Sequence, residues 1–326
     1  MAKSIDAHEA EGVGRYAETV RHIPVRGWKE ILSRTATEIS RDNISLIAGG
    51  AAFFLLLAIF PALAAFVALY GLVSDVSTVE EHLNLLSGVM PTDAVNLIGG
   101  ELERLASQSN GSLGIGFLIG LLVALWSANA GVKALFAALN VVYDEREKRG
   151  FIELTLKSLA FTLAAIVGAS LLIVVVVAAP SVLSMFGLGA ETEILIAILR
   201  WPILLVAIMG GIGLLFKFGA SRRPPKWRWI SWGTALTAIL WVAVSAGFSF
   251  YLSNFANYDA TYGALGAVIG FMMWLYISLY VMLAGAELNS EIEHQVATDT
   301  TSGPYKPKGM RNAVMADYLP GEDHKN

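Results

Sequence analysis

Ser112–Tyr143 reads SLGIGFLIGLLVALWSANAGVKALFAALNVVY. The run is long enough to cross a bilayer, yet Asn129, Lys133 and Asn140 are set into its second half. Spacings of four and seven residues put all three on one face of a helix that repeats every 3.6 residues. Polar side chains inside a membrane helix cost free energy, so they face a protein interior, a wet cavity or the lipid headgroups. The remaining hydrophobic segments then form the wall around this stripe.

Composition agrees. Of the 326 residues 55% are hydrophobic and only 15% charged, against about a quarter charged in a soluble domain, so lipid is the expected solvent. No cysteine is present, which excludes disulfides and thiolate metal sites. The first apolar run starts only near Ser45, after a polar arm with no resemblance to a cleaved leader, so the first span is expected to act as its own insertion signal.

Six apolar segments, near 45–73, 112–137, 158–185, 194–217, 230–256 and 263–288, each reach the ~20 residues a span requires. The first is overlong, predicting tilt or a bend at Pro61, which removes a helix hydrogen bond. Lys and Arg are strongly segregated between the segments. Alternate compartments hold twenty cations against one, Arg104. Positive loops stay cytoplasmic, so both termini are expected inside and the helix count even. Residues 1–27 and 295–326 read as disordered polar arms flanking a membrane domain over 28–294.

Between the first arm and the first span, Trp28, Ile31, Leu32 and Ile39 oppose Lys29, Glu30, Arg34, Glu38 and Arg41. This is an amphipathic helix that either lies in the headgroup layer or packs on the inner end of the bundle. The acidic outer loop 74–111 predicts two short helices, one over 79–89 and one carrying Val95, Ile98, Leu102 and Leu105 after Pro91. They either cap the outer mouth or form a surface appendage. The fourth loop sets Arg222, Arg223, Lys226 and Arg228 beside Trp227 and Trp229, the composition of an anchor to anionic lipid headgroups. Membrane lipids are therefore the expected partners and nucleic acid is not; the oligomeric state is open.

Within the spans, Lys133 either snorkels to headgroups or faces inward to pair with Glu287, at matching depth on the sixth span. Arg200, beside Trp201 and Pro202, either snorkels to the outer interface or lines an outward-facing anion site. Thr234, Thr237, Trp241, Ser245, Ser249 and Ser253 make a small, hydroxylated face on the fifth span, suited to close helix packing or to a hydrated path. The search for an enzyme finds little. All five histidines lie outside the spans without metal-ligand spacing, no phosphate loop or nucleophile elbow is present, and Asp144, Glu145 and Glu147 sit among Arg146, Lys148 and Arg149. No cofactor is implied.

Several stretches are similar to a known family. Asp42-Asn43, Ala51-Ala52-Phe53-Phe54 and Phe60-Pro61 resemble the start of the YihY/virulence factor BrkB family of bacterial inner-membrane proteins. So do Leu125-Trp126-Ser127 leading through Gly131 and Lys133 to Asn140 and Tyr143, and Tyr262-Gly263, Trp274, Tyr276 and Leu283-Ala284-Gly285-Ala286-Glu287-Leu288-Asn289. The likeness spans about 28–292 and implies a six-helix inner-membrane protein. Such proteins carry an old ribonuclease BN label and are otherwise described as uncharacterised or as candidate transporters. The family supplies no catalytic residue. The resemblance does single out Asn43, Pro61, Trp126, Asn129, Lys133, Asn140, Gly285, Glu287 and Asn289 as structural or pathway positions.

The expectation is an all-α, multi-pass protein of the bacterial inner membrane with six spans and both ends cytoplasmic. Its function is expected to be transport or lipid handling of an anionic or amphiphilic solute. The polar faces of the second and fifth spans would line the cavity, with Lys133 and Glu287 on the inner side and Arg200 on the outer. A non-transporting envelope scaffold is the alternative, and a ribonuclease comes third.

Overall fold

A computed structural model of the chain describes residues 12–70, 115–173, 190–255 and 265–322. Its elements are a 3-10 turn at Val20–His22, α1 (Val25–Arg41), α2 (Ile44–Tyr70), α3 (Ile115–Val142), α4 (Phe151–Ile173), α5 (Ala190–Phe218), α6 (Trp227–Phe255), α7 (Leu265–Gln295) and the single turn α8 (Val314–Asp317). No strand occurs among the described residues. The helices α2 to α7 are each long and apolar enough to cross a membrane, as six spans require. The outer-loop helices expected over 79–89 and 95–105 lie outside the described residues.

The helix ends depart from the hydropathy boundaries at one end of the bundle. There α4 begins at Phe151 rather than near 158, and α7 runs on to Gln295 rather than stopping near 288. In both places polar side chains continue the helix because the protein supplies partners. Glu153 and Lys157 pair one turn apart at 2.7 Å, and Asn289 to Gln295 are almost wholly enclosed by other segments. Between α1 and α2, Asn43 takes a left-handed φ of 52°, a conformation asparagine tolerates better than most residues. Its carbonyl accepts the Leu46 and Ile47 N–H groups, which starts α2. α2 continues through Pro61.

The spans form an arc rather than a closed ring. Running along it, α4 packs on α3, α3 on α2, α2 on α7, α7 on α6 and α6 on α5. Over their described lengths α4 and α5 do not pack closely on each other, which leaves the arc open between them. The core is built by Ile44, Ala48 and Ala52 of α2, Leu139 and Val142 of α3, and Phe271 and Leu283 of α7, joined by Tyr143 and Phe216. Small residues set the approach: a Cβ at Gly131 would lie 2.8 Å from Leu55 Cδ2 and 2.9 Å from Ala58 Cβ, so α3 can lie this close to α2 only with glycine there.

The arms differ from the expected disorder. Residues 12–23 and 296–322 fold over the end at which α7 terminates. Gln295 Nε2 donates to the Val13 carbonyl at 2.8 Å, Ala297 N–H to the Arg15 carbonyl at 2.7 Å, and Thr298 Oγ1 to Ala17 at 3.1 Å. Arg311 is 2% exposed and ties the tail to itself, reaching the carbonyls of Ala297, Thr298, Lys306 and Ala316. Composition suggested disorder because the arms are polar. They are held by buried hydrogen bonds to backbone groups together with a small apolar cluster in which Ala17, Val20, Ile23 and Val296 pack against Ile31, Trp229 and Ile292. On the same end α1 lies against α7, burying Ile31 and Thr35 and leaving Val25 and Leu32 exposed.

Candidate functional site

The polar residues of α3 separate into two settings. Asn129 is buried, and its Oδ1 has no hydrogen-bond partner. Lys133 reaches α4: its Nζ donates to Thr155 Oγ1 at 3.0 Å and lies 5.4 Å from the Trp126 ring centre and 5.3 Å from that of Phe151. Two aromatic faces and a hydroxyl therefore hold the ammonium. The expected Lys133–Glu287 pair is not formed, because the early start of α4 places Phe151 and Thr155 beside Lys133. Glu287 points instead into the enclosed end of α7. Arg200 lies on α5, with its side chain outside the described residues.

On α6 the hydroxylated face turns to α7, where Thr234, Thr237 and Ser245 are buried and Ser249 is half-buried. Ser245 Oγ accepts the Trp274 indole N–H at 3.2 Å. Of the two readings of that face, close packing is the one the contacts favour.

The end carrying both arms holds a dense polar layer. Asn140 Oδ1 accepts the Ser221 N–H at 2.6 Å, and its Nδ2 donates to Glu147 Oε2 at 2.9 Å. Arg149 binds both oxygens of Glu147 at 2.7 Å and the Gly219 carbonyl at 2.9 Å. Burial pushes the Glu147 carboxyl up, but donation from the Arg149 guanidinium, the Arg149 N–H and Asn140 outweighs it and holds the group at about 2. A depressed carboxylate stabilises the fold above its unfolded value of 4.5 and loses that contribution as pH falls toward 2. Glu147→Gln is expected to remove this part of the acid slope and to cost about 1–3 kcal/mol at neutral pH. Thermal unfolding in detergent across that acid range, compared with the wild type, checks both.

Two of the six residues expected to anchor lipid face inward. The Arg222 side chain is 1% exposed, forms a two-point ion pair with Glu293 (2.7 and 3.0 Å) and stacks 3.9 Å from the Tyr143 ring centre. Trp229 is fully buried with Ile31 and Ile292. Lys226 Nζ is half-buried on the Asp299 carbonyl, and Arg223 donates to that of Pro304. Only Trp227 and Arg228 are well exposed. A linker next to a membrane helix can serve the tail as well as the lipid, and the residues 220–226 are paired along it: Arg223 N–H to Asn312, Lys226 N–H to Thr300 and Ser302 N–H to Pro224.

Beside this linker lies an open groove of about 780 Å³. It sits where the arc is open, between the first turns of α4 and the last turn of α5, and the tail supplies one wall through Lys306 and Asn312. Seven cations line it, with Glu153 the one acid of the lining. Lys148, Arg149, Lys157 and Arg222 are balanced by Glu145, Glu147, Glu153 and Glu293. Among the described residues Lys217, Arg223 and Lys306 form no ion pair. The wall toward the membrane is apolar, made by Ala160, Phe161 and Phe218. A groove so built favours an anionic group attached to something apolar. Sequence reasoning found the cations of two loops but missed Lys157 and Lys217 as members of one site. Their common position near the same ends of α4 and α5 was the available signal.

The carboxylates that a nuclease would need are committed elsewhere. Glu145 binds Lys148 and the Val314 N–H, both at 2.8 Å, and Glu147 binds Arg149. Among the described residues no group of three or more His, Asp or Glu is placed to hold a metal ion directly.

Comparison with known proteins agrees with this architecture. The chain is 32% identical over 269 residues to a Bacillus subtilis protein named for a likeness to ribonucleases, YfkH, covering 80% of this chain and 93% of that one. It is 25% identical over 281 residues to a UPF0761 membrane protein of Pseudoalteromonas translucida (84% and 88% covered). A UPF0761 membrane protein of Vibrio campbellii is 25% identical over 259 residues (78% and 79%). No solved structure matches the chain. The family described as virulence factor BrkB matches residues 35–309, and the chain, a multi-pass helical membrane protein, belongs to that family.

Proposed function

We propose that this protein handles anionic amphiphiles, taking the charged headgroup into the basic groove while the apolar part lies in the gap between α4 and α5. The observation that carries the reading is the coincidence of the two features: the cation-lined groove sits at the mouth of the only opening in the described arc. An ion transporter would need no lateral gap, and a scaffold would need no excess of unpaired cations beside one. With the basic loops on the cytoplasmic side of an inner membrane, the groove would meet lipids of the cytoplasmic leaflet. This reading replaces a path lined by α3 and α6, because the α6 hydroxyls are spent on packing. A ribonuclease activity, suggested by the name of the Bacillus relative, is disfavoured by the ion-paired state of Glu145 and Glu147.

The test is reconstitution in liposomes containing phosphatidylglycerol or only phosphatidylcholine, with binding and transbilayer movement of labelled lipids followed. Binding is expected to favour the anionic lipid. Lys217→Gln with Lys306→Gln should weaken it by roughly 30-fold, at ~1 kcal/mol for each cation near a charged surface. Equal binding of both lipids, or no effect of the double variant, would overturn the proposal.

A further inference from the structure

We infer that the lipid-facing seam of α3 and α4 is a binding site for one phospholipid, whose phosphate is held by the Lys133 ammonium. Phe151 and Thr155, which meet Lys133, are each two positions from Glu153 and Lys157 of the basic groove. Two positions turn a helix by more than half a revolution, so the seam and the groove lie on opposite faces of α4. Lys133 stands nine residues before the end of α3, about 14 Å along its axis. Its partner Thr155 is one turn into α4, between the ion-paired Glu153 and Lys157 in sequence. Charges on α4 at this level mark where the span gives way to headgroups.

The charge of Lys133 is unanswered there. An ammonium has three N–H donors. One goes to Thr155 Oγ1, while the Trp126 and Phe151 rings flank the group without an oxygen to receive the others. Among the described residues Lys133 forms no ion pair. A snorkelling lysine carries its head into water, whereas this one is laid against a hydroxyl and two rings on the side of a span. A cation so placed needs an anion beside it.

The surroundings decide where that anion comes from. Trp126, Phe151 and Ile152, with Leu122 and Val123 further along α3, are well exposed within two helices that can cross a membrane. The surface about Lys133 is therefore one that acyl chains cover. Ala130 and Ala137, exposed one turn to either side of Lys133, are small and leave its approach open. A phospholipid supplies both parts, a phosphate for the ammonium and chains for the apolar seam; a soluble anion lacks the second. A single cation reads the phosphate rather than the net charge of the headgroup, so zwitterionic phosphatidylcholine is accepted as well as phosphatidylglycerol, unlike in the groove. The site is independent of the lipid-handling proposal, since none of its residues lines the groove.

The experiment uses the full chain, stripped of lipid in a maltoside detergent and titrated with phosphatidylcholine, with bound lipid counted by native mass spectrometry. The wild type should bind one phosphatidylcholine saturably. Lys133→Met should weaken that binding at least ten-fold, the effect of losing a hydrogen bond to a charged group, and Lys133→Arg should restore it. Lys217→Gln with Lys306→Gln should leave it intact while weakening the binding of phosphatidylglycerol, so failure of either proposal is distinguishable from failure of the other. A phosphatidylcholine carrying a diazirine near its glycerol should, at one lipid per chain, label residues 122–130 or 151–156. That measurement on the wild type decides the matter even if a variant does not fold. Labelling spread evenly over the spans, undiminished binding by Lys133→Met, equal occupancy by a diacylglycerol, or displacement of the lipid by millimolar inorganic phosphate would each overturn the inference.

Discussion

Arg222→Met should destabilise the protein by about 3–5 kcal/mol, the cost of leaving a buried carboxylate without its counter-ion. Glu293 is completely buried and receives both guanidinium nitrogens of Arg222 together with the Thr300 hydroxyl at 3.1 Å. With Arg222 removed, the hydroxyl alone would face a full negative charge. The double variant Arg222→Met/Glu293→Leu should lose much less than the single one, because the desolvation penalty leaves with the charge. Unfolding by SDS in mixed micelles gives both values. A loss below about 1 kcal/mol for the single variant, the range of an exposed pair, would show that water reaches the site and that the arms do not close over it.

The same pair shows where reading the sequence reaches its limit. Six spans were legible because hydropathy is a local property and α2 to α7 each carry it over a length that can cross a membrane. The bundle's open side, the fate of Arg222 and the partner of Lys133 were not, because each depends on residues brought from far away. Arg222 and Glu293 are 71 positions apart, and nothing near Arg222 distinguishes it from Arg228, which stays exposed. Trp229 looked like a belt residue beside Trp227 for the same reason. In a helix, two positions turn the side chain by more than half a revolution, so one indole faces out and the other into the core. The burial of the run from Asn289 to Gln295 under the arms was not legible either, because polar residues continuing a helix past its apolar end are equally well satisfied by water. Asn129, Lys133 and Asn140 do share a face of α3, as their spacing required, but depth along the helix gives them different tasks. Only Asn140 enters the polar layer.

Gly285→Ala should separate α6 from α7 and cost about 3 kcal/mol, the upper part of the range for overpacking a well-filled contact. The added Cβ would overlap Thr237 Oγ1 and lie 2.8 Å from Thr237 Cβ and 2.9 Å from its Cγ2. No rotation of Thr237 relieves a clash with its Cβ, and its hydroxyl is already bonded to the Gly233 carbonyl at 2.6 Å. One turn away the arrangement is repeated with the roles exchanged. Asn289 of α7 lies against Gly233 of α6, 2.5 Å from its Cγ to where a Cβ would stand. Each helix thus offers a glycine notch to a polar side chain of the other, and the two notches fix register as well as distance. Gly233→Ala should therefore be damaging too, and the two substitutions together less than additive, since one separation of the helices relieves both clashes. Thr237→Gly placed with Gly285→Ala moves the notch to the opposite helix and should recover most of the loss. Gly120→Ala is the control: nothing lies within 4 Å of its Cβ position, so the gain in helix propensity should leave stability unchanged or slightly higher. The shift in the SDS unfolding midpoint ranks the five variants. If Gly285→Ala behaved like Gly120→Ala, the close approach of α6 to α7 would be wrong, and with it the assignment of the α6 hydroxyls to packing.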